Sequence, residues 1–174
     1  NVLETKSGKD LGSEYLLELL SDNQLNCSDL FELFDYIKEL GKEPLCTPWD
    51  KESLKKLYEY GLRTVKFASA DFTNHELLGS AVDMGMNLIC STGMSTQQEV
   101  IETSQFLKDK GALFYFLHCQ SSYPAAIKDI NLSYMDTLKK YSRGGFVGYS
   151  SHDLGINVCL AAVSRGAKII EKHF

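Results

Sequence analysis

The run KIIEKHF at residues 168 to 174 places two groups with chemistry on one face of an extended segment, because alternate strand residues point the same way. Glu171 and His173 share that face and Lys172 takes the other. A second histidine, His152 in GYSSHD, follows another apolar run. Two imidazoles and a carboxylate meeting at one point would make a divalent-metal site with coordination positions left open for substrate. Two histidines are too few for a closed structural zinc site.

Ionisable groups also sit inside segments that should be buried. Lys66 lies between Val65 and Phe67, and Glu171 follows Ile169 and Ile170. An unpaired charge is costly there, so each needs a partner or a task. Every apolar run ends in polar residues: Thr47; Ser69; Ser91 and Thr92; His118, Gln120 and Ser121; Ser150 and His152; Glu171 and His173. Hydroxyls around a buried lysine suit an anionic substrate. The competing reading, that serines and threonines cap the following helices, holds equally well for Ser69 or Thr92 taken alone. His75 falls in a helical stretch and reads as a surface or capping residue. His118 reads either as a buried, hydrogen-bonded histidine or as a site residue, with the first favoured.

The elements that must position these residues are marked by glycine. Gly41, Gly61, Gly85, Gly111 and Gly166 each follow an amphipathic polar run and precede an apolar one, as C-terminal helix caps do. The apolar runs EPLCT, RTVKFAS, NLICST, ALFYFLHC, GFVGYSS and KIIEKHF are short and unalternating, like buried parallel strands. Helix starts are signalled by Asp50, by Thr73, and by Thr96 with Glu99 at capping-box spacing. Leu30, Phe34, Ile37 and Leu40 form one helical face. Strand-end markers from Thr47 to His173 recur at steps of 22, 23, 28, 30 and 23 residues, an alternation that implies six parallel strands. A closed (β/α)8 barrel typically needs ~250 residues, so the expectation is an α/β chain forming a TIM-type barrel with strands 3 to 8 present and the first two missing. An open doubly wound sheet is the rival, weakened by the absence of both G-x-G-x-x-G and G-x-x-x-x-G-K-[ST]. Residues 1 to 26 read as a loop with one helix, SEYLLELL.

The totals narrow the function classes. The chain has 174 residues, 44% hydrophobic content and a formal net charge of −5, which fits a single domain over residues 1–174 and gives nucleic-acid binding no electrostatic source. Its longest apolar stretch, ALFYFL, is far short of the roughly 20 residues of a membrane helix, and the first residues carry no signal-peptide pattern. Five cysteines, odd in number and without C-x-x-C spacing, read as reduced, mostly buried thiols in a cytoplasmic setting.

The segments CTPWD, VKFASADFTN, ICSTGMST, LHCQSSYPA, GYSSHDLGI and AAVSRGAKIIEKHF together resemble the sialic acid synthase family. The resemblance runs from about residue 27 to the end, with SEYLLELL a fainter match. It implies a (β/α)8 barrel that condenses phosphoenolpyruvate with an N-acetylated hexose, such as N-acetylmannosamine, to give a nonulosonic acid and phosphate. It further implies that His152 and His173 bind Mn²⁺ or Mg²⁺, and that Thr47, Lys66, Ser69, Ser91, Ser121 and Ser150 hold the carboxylate and phosphate of phosphoenolpyruvate. Tyr123 and Glu171 would face the sugar, with Glu171 and Lys66 catalytic and the full-length protein a homodimer.

The chain departs from the family where S-D-H-T is usual and Ser150-Ser151-His152-Asp153 stands, which leaves the orientation of the His152 ring open, with a small effect on metal affinity if Asp153 offers a substitute partner. The family's catalytic glutamate on strand one, its lysine and glutamine on strand two, and an arginine from a C-terminal domain have no counterparts in residues 1–174, so the chain alone is expected to be inactive. Alternatives are a related 3-deoxy-sugar acid synthase, disfavoured by the scattering of Arg63, Arg143 and Arg165, and a non-catalytic truncated member.

Overall fold

The computed structural model describes residues 25–173. Of these, residues 25–44 belong to one compact unit and residues 45–173 to a second. In the first, helix α1 (Cys27–Glu39) starts at Asn26, whose side chain accepts the Asp29 amide at 3.0 Å. Of the expected apolar face, Phe34 is buried, whereas Leu40 lies beyond the helix end and is exposed. The expected helix SEYLLELL lies outside the described residues.

The second unit carries five parallel strands in the order of the chain: β1 (Thr64–Phe67), β2 (Asn87–Ser91), β3 (Phe114–Cys119), β4 (Val147–Ser151) and β5 (Ile169–Lys172). Helix α2 (Lys51–Tyr60) precedes β1. The strands are then linked through α3 (His75–Asp83), α4 (Gln97–Asp109), the short α5 (Tyr134–Leu138) and α6 (Asn157–Ser164). This is a half-barrel of strand and helix repeats.

The five glycines that mark helix ends all have positive φ, and Gly61 is itself the left-handed cap of α2. Asp50 and Ser53 form a capping box at the start of α2, and Thr96 and Glu99 form one at the start of α4. Helix α3 differs from expectation: Asn74, not Thr73, is its N-cap, because the Asn74 side-chain Oδ1 accepts from the Leu77 amide at 3.1 Å.

The sixth expected strand, at residues 43 to 47, is not one. Pro44 has no amide proton to offer a sheet. The segment is tied to β1 by the bond from Lys66 N to Cys46 O at 3.0 Å, which is too little pairing to make a strand.

Strand alternation divides the sheet into two faces. Val65, Phe67, Leu88, Phe114, Phe116, Val147 and Tyr149 are buried, and Phe72 meets Phe116 edge-on at 5.1 Å. Full burial of such side chains stabilises the fold by roughly 1.5–3 kcal/mol each. The other face carries Lys66, Ser91, Cys119, Ser150 and Glu171, and register places Cys119 beside Ser150 and Ser150 beside Glu171.

Gly148 makes this second face possible at its closest point. A Cβ there would stand 2.3 Å from Leu117 Cδ2 and 2.5 Å from Ile169 O, and the second of these is backbone that cannot swing away. Gly148→Ala is therefore expected to destabilise the protein by about 3 kcal/mol, as overpacking does. Urea unfolding checks this, with a lower midpoint and an unchanged m-value.

Candidate active site

The strand ends of the half-barrel surround a cavity of about 310 Å³. Its wall includes Thr47, Lys66, Ser69, Ser91, Ser121, Ser150, Glu171, His152 and His173, so the structure brings together nine of the ten site residues singled out in the sequence. The tenth, Tyr123, stands at an adjoining pocket that also touches both histidines. The residue is 66% exposed, and its ring meets His152 edge-on at 5.3 Å and His173 at 5.1 Å.

Lys66 is 5% exposed and points into the cavity from β1. Its ammonium donates to Phe67 O at 2.9 Å and lies 3.3 Å from Glu171 Oε2, across the concave face on β5. Glu171 Oε2 is close enough for an ion pair but makes no hydrogen bond, so it keeps its acceptor capacity.

The hydroxyls around this pair are not spent on helix caps. Ser69 Oγ accepts from the Gly93 amide at 3.1 Å, which leaves its own proton available to the cavity. Thr92 instead donates to Leu117 O at 3.1 Å. The hydroxyls of Ser91 and Ser121 are buried without a hydrogen-bond partner. Buried donors are rarely left so, and when they are they usually await a ligand or water.

Three expectations need correction. Glu171 does not join the two histidines: Lys66 draws its carboxylate, and the described residues contain no cluster of three or more His, Cys, Asp or Glu arranged to hold an ion. His152 and His173 do meet, with ring centroids 5.4 Å apart. Asp153 gives His152 no substitute partner, because its carboxylate turns to Tyr149 and Ser151. His118 is buried as favoured, but its Nε2 has no hydrogen bond, and it packs between Tyr134 and Tyr149 on the other side of the sheet. His75 opens α3, stacks on Phe106 at 4.6 Å and bonds Thr103 Oγ1 through Nε2 at 2.9 Å, so it takes no part in the cavity.

Sequence reasoning missed Cys119, whose sulfur lies in the cavity wall 3.9 Å from His152 Nε2. Burial pushes this thiol up despite the neighbouring Ser150 and Ser69 hydroxyls, so it stays neutral. Its place next to His118 on a strand end was the available signal. Gly93 was missed too: a Cβ on it would lie 2.5 Å from Ser121 Oγ and 2.7 Å from Cys119 O, so its bareness lets the turn after β2 close against β3.

The NeuB family model matches residues 3–174. The chain belongs to the NeuB family. It is 35% identical to the N,N'-diacetyllegionaminic acid synthase of Campylobacter jejuni, over all of this chain and 55% of that protein. It is 36% identical to the N-acetylneuraminate-9-phosphate synthase of Drosophila melanogaster, over 96% of this chain and 44% of that one. The solved N-acetylneuraminic acid synthetase of Leptospira borgpetersenii, in complex with citrate, superposes with a TM-score of 0.87 at 34% identity, over 97% of this chain and 57% of that one. The NeuB chain thus spans about half the length of the curated relatives it matches. No helix among its described residues is long and apolar enough to cross a membrane.

His118 gives this member of the family a testable acid sensitivity. Burial lowers its imidazole from 6.5 to about 4. Between those values the unfolded chain takes up a proton that the folded chain refuses, so stability is full above about pH 6.5 and falls as pH drops toward 4, by about 3 kcal/mol in all. Thermal unfolding across this range should show the drop, and His118→Phe should flatten it.

Proposed function

We propose that the concave face of this half-barrel binds phosphoenolpyruvate and an N-acetylated hexose beside a divalent ion. The protein to which it belongs would condense them to a nonulosonic acid and phosphate. The observation that carries the reading is the convergence of a buried lysine, unpartnered serine hydroxyls and two adjacent imidazoles on one cavity.

In this reading the Lys66 ammonium and the hydroxyls of Thr47, Ser69, Ser91, Ser121 and Ser150 donate to the carboxylate and phosphate of phosphoenolpyruvate. Charge-assisted bonds of this kind are about twice as strong as neutral ones. Glu171 Oε2 accepts from a sugar hydroxyl, and Tyr123 flanks the sugar at the rim. With the two substrates held so, C3 of phosphoenolpyruvate forms a bond to the sugar's aldehyde carbon, whose oxygen takes a proton. The positive centre left at C2 is captured by water, which loses a proton. The C2–O bond to phosphate then breaks, the C2 hydroxyl gives its proton to the departing phosphate, and the keto acid is left.

The two imidazoles are close enough to share one ion, with the rest of its coordination supplied by oxygen donors. Mn²⁺ or Mg²⁺ held by His152 and His173 would supply Lewis-acid polarisation of the aldehyde. We further propose that residues 1–174 are part of one (β/α)8 barrel domain, that the whole protein is a cytoplasmic homodimer, and that the 174-residue chain alone binds phosphoenolpyruvate without releasing phosphate.

Isothermal titration of phosphoenolpyruvate into the chain tests this. Binding is expected for the wild type, and Lys66→Met should weaken it by about tenfold or more, the loss of one charge-assisted contact. Equal binding by Lys66→Met would contradict the reading. Because Glu171 Oε2 is buried beside Lys66, the thermal midpoint of Lys66→Met is measured alongside, and Lys66→Arg, which keeps the charge, is expected to retain more binding than Lys66→Met.

A further inference from the structure

On the face of the sheet turned away from the cavity, the ends of β4 and β5 are joined by a chain of polar side chains. Tyr149 donates to Asp153 Oδ1 at 2.6 Å, and Ser151 Oγ donates to the same oxygen at 2.7 Å. Lys172 donates to Ser151 Oγ at 2.9 Å and also to the backbone oxygen of Asp153. Asp153 is 2% exposed.

The positions of these residues give the cluster its meaning. Ser151 and Asp153 flank His152, and Lys172 immediately precedes His173. The pairing of β4 with β5 ends at Ser151 and Lys172, so both histidines stand just past the last sheet register. The side-chain bonds continue the connection beyond it. A further bond, from the Ala125 amide to His152 O at 2.9 Å, brings the Tyr123 loop to the same point.

We propose that Lys172, Asp153 and Ser151 form a clamp behind the sheet that sets the separation and orientation of the His152 and His173 rings. They line the pocket beside the two histidines, but their polar side-chain atoms bond one another and not the imidazoles, so they are positioning residues. Asp153 bonds Tyr149 and Ser151 and not the His152 ring, so it acts on that ring through the backbone that carries it. The inference rests on the assignment of the two histidines to a divalent ion.

Mn²⁺ titration of the full chain, followed by the electron paramagnetic resonance signal of free Mn²⁺, tests it. Lys172→Met and Asp153→Ala should weaken Mn²⁺ binding by roughly 10–100-fold, the usual effect of losing an outer partner of a metal ligand. Asp153→Asn should stay within about threefold, because an amide oxygen can accept both hydrogen bonds. The thermal midpoint of each variant is measured alongside, and Lys172→Met, at a partly exposed position, carries the test if Asp153→Ala does not fold. Wild-type affinity in Lys172→Met, with binding lost in His152→Ala and His173→Ala, overturns the clamp and leaves the metal assignment standing. Absence of Mn²⁺ binding in the wild type overturns both.

Discussion

The ion pair between Lys66 and Glu171 joins the two edge strands of the sheet. In a flat sheet, four interstrand steps of about 4.8 Å would separate β1 from β5 by about 19 Å, more than these side chains can bridge. Their 3.3 Å approach requires a strongly curved sheet. That curvature turns a row of strand-end residues into a cavity wall, and the cavity in turn gives the lysine an anionic partner that makes its burial tolerable. Gly148 permits the closest packing inside the curve, and the aromatic layer on the other face backs it.

The same pair shapes the site's chemistry. Because Glu171 answers Lys66, it is withdrawn from the histidines, and the cavity divides into a cationic, hydroxyl-rich region and an imidazole region. An anion arriving beside Lys66 would share its ammonium with Glu171, while the carboxylate oxygen without a hydrogen bond remains to accept from a neutral hydroxyl. An anion and a neutral hydroxyl compound would thus meet different partners within one cavity.

Much of this was legible in the sequence, for physical reasons. Glycine caps and capping boxes are local, so helix ends such as Gly61 and Thr96 could be read directly. Strand alternation put Glu171 and His173 on one face and Lys172 on the other, and a lysine between Val65 and Phe67 had to be accounted for. What failed depended on the third dimension. Residues 43 to 47 have a strand's composition but find little backbone partnership. Thr73 and Asn74 are both good caps, and only geometry chooses between them. The partner of Glu171 lies 105 residues away, and the turn of Asp153 to the far face follows from buried contacts with Tyr149 and Ser151. Cys119 looked like any small buried thiol until register set it beside Ser150.

A crystal structure of the chain grown with phosphoenolpyruvate and Mn²⁺ tests the central claim most directly. Phosphate and carboxylate oxygens are expected within hydrogen-bond reach of Lys66 Nζ and the Ser91 and Ser121 hydroxyls, with the ion bonded to one nitrogen of each of His152 and His173. Phosphoenolpyruvate bound away from Lys66, or an ion that avoids the two imidazoles, would contradict it.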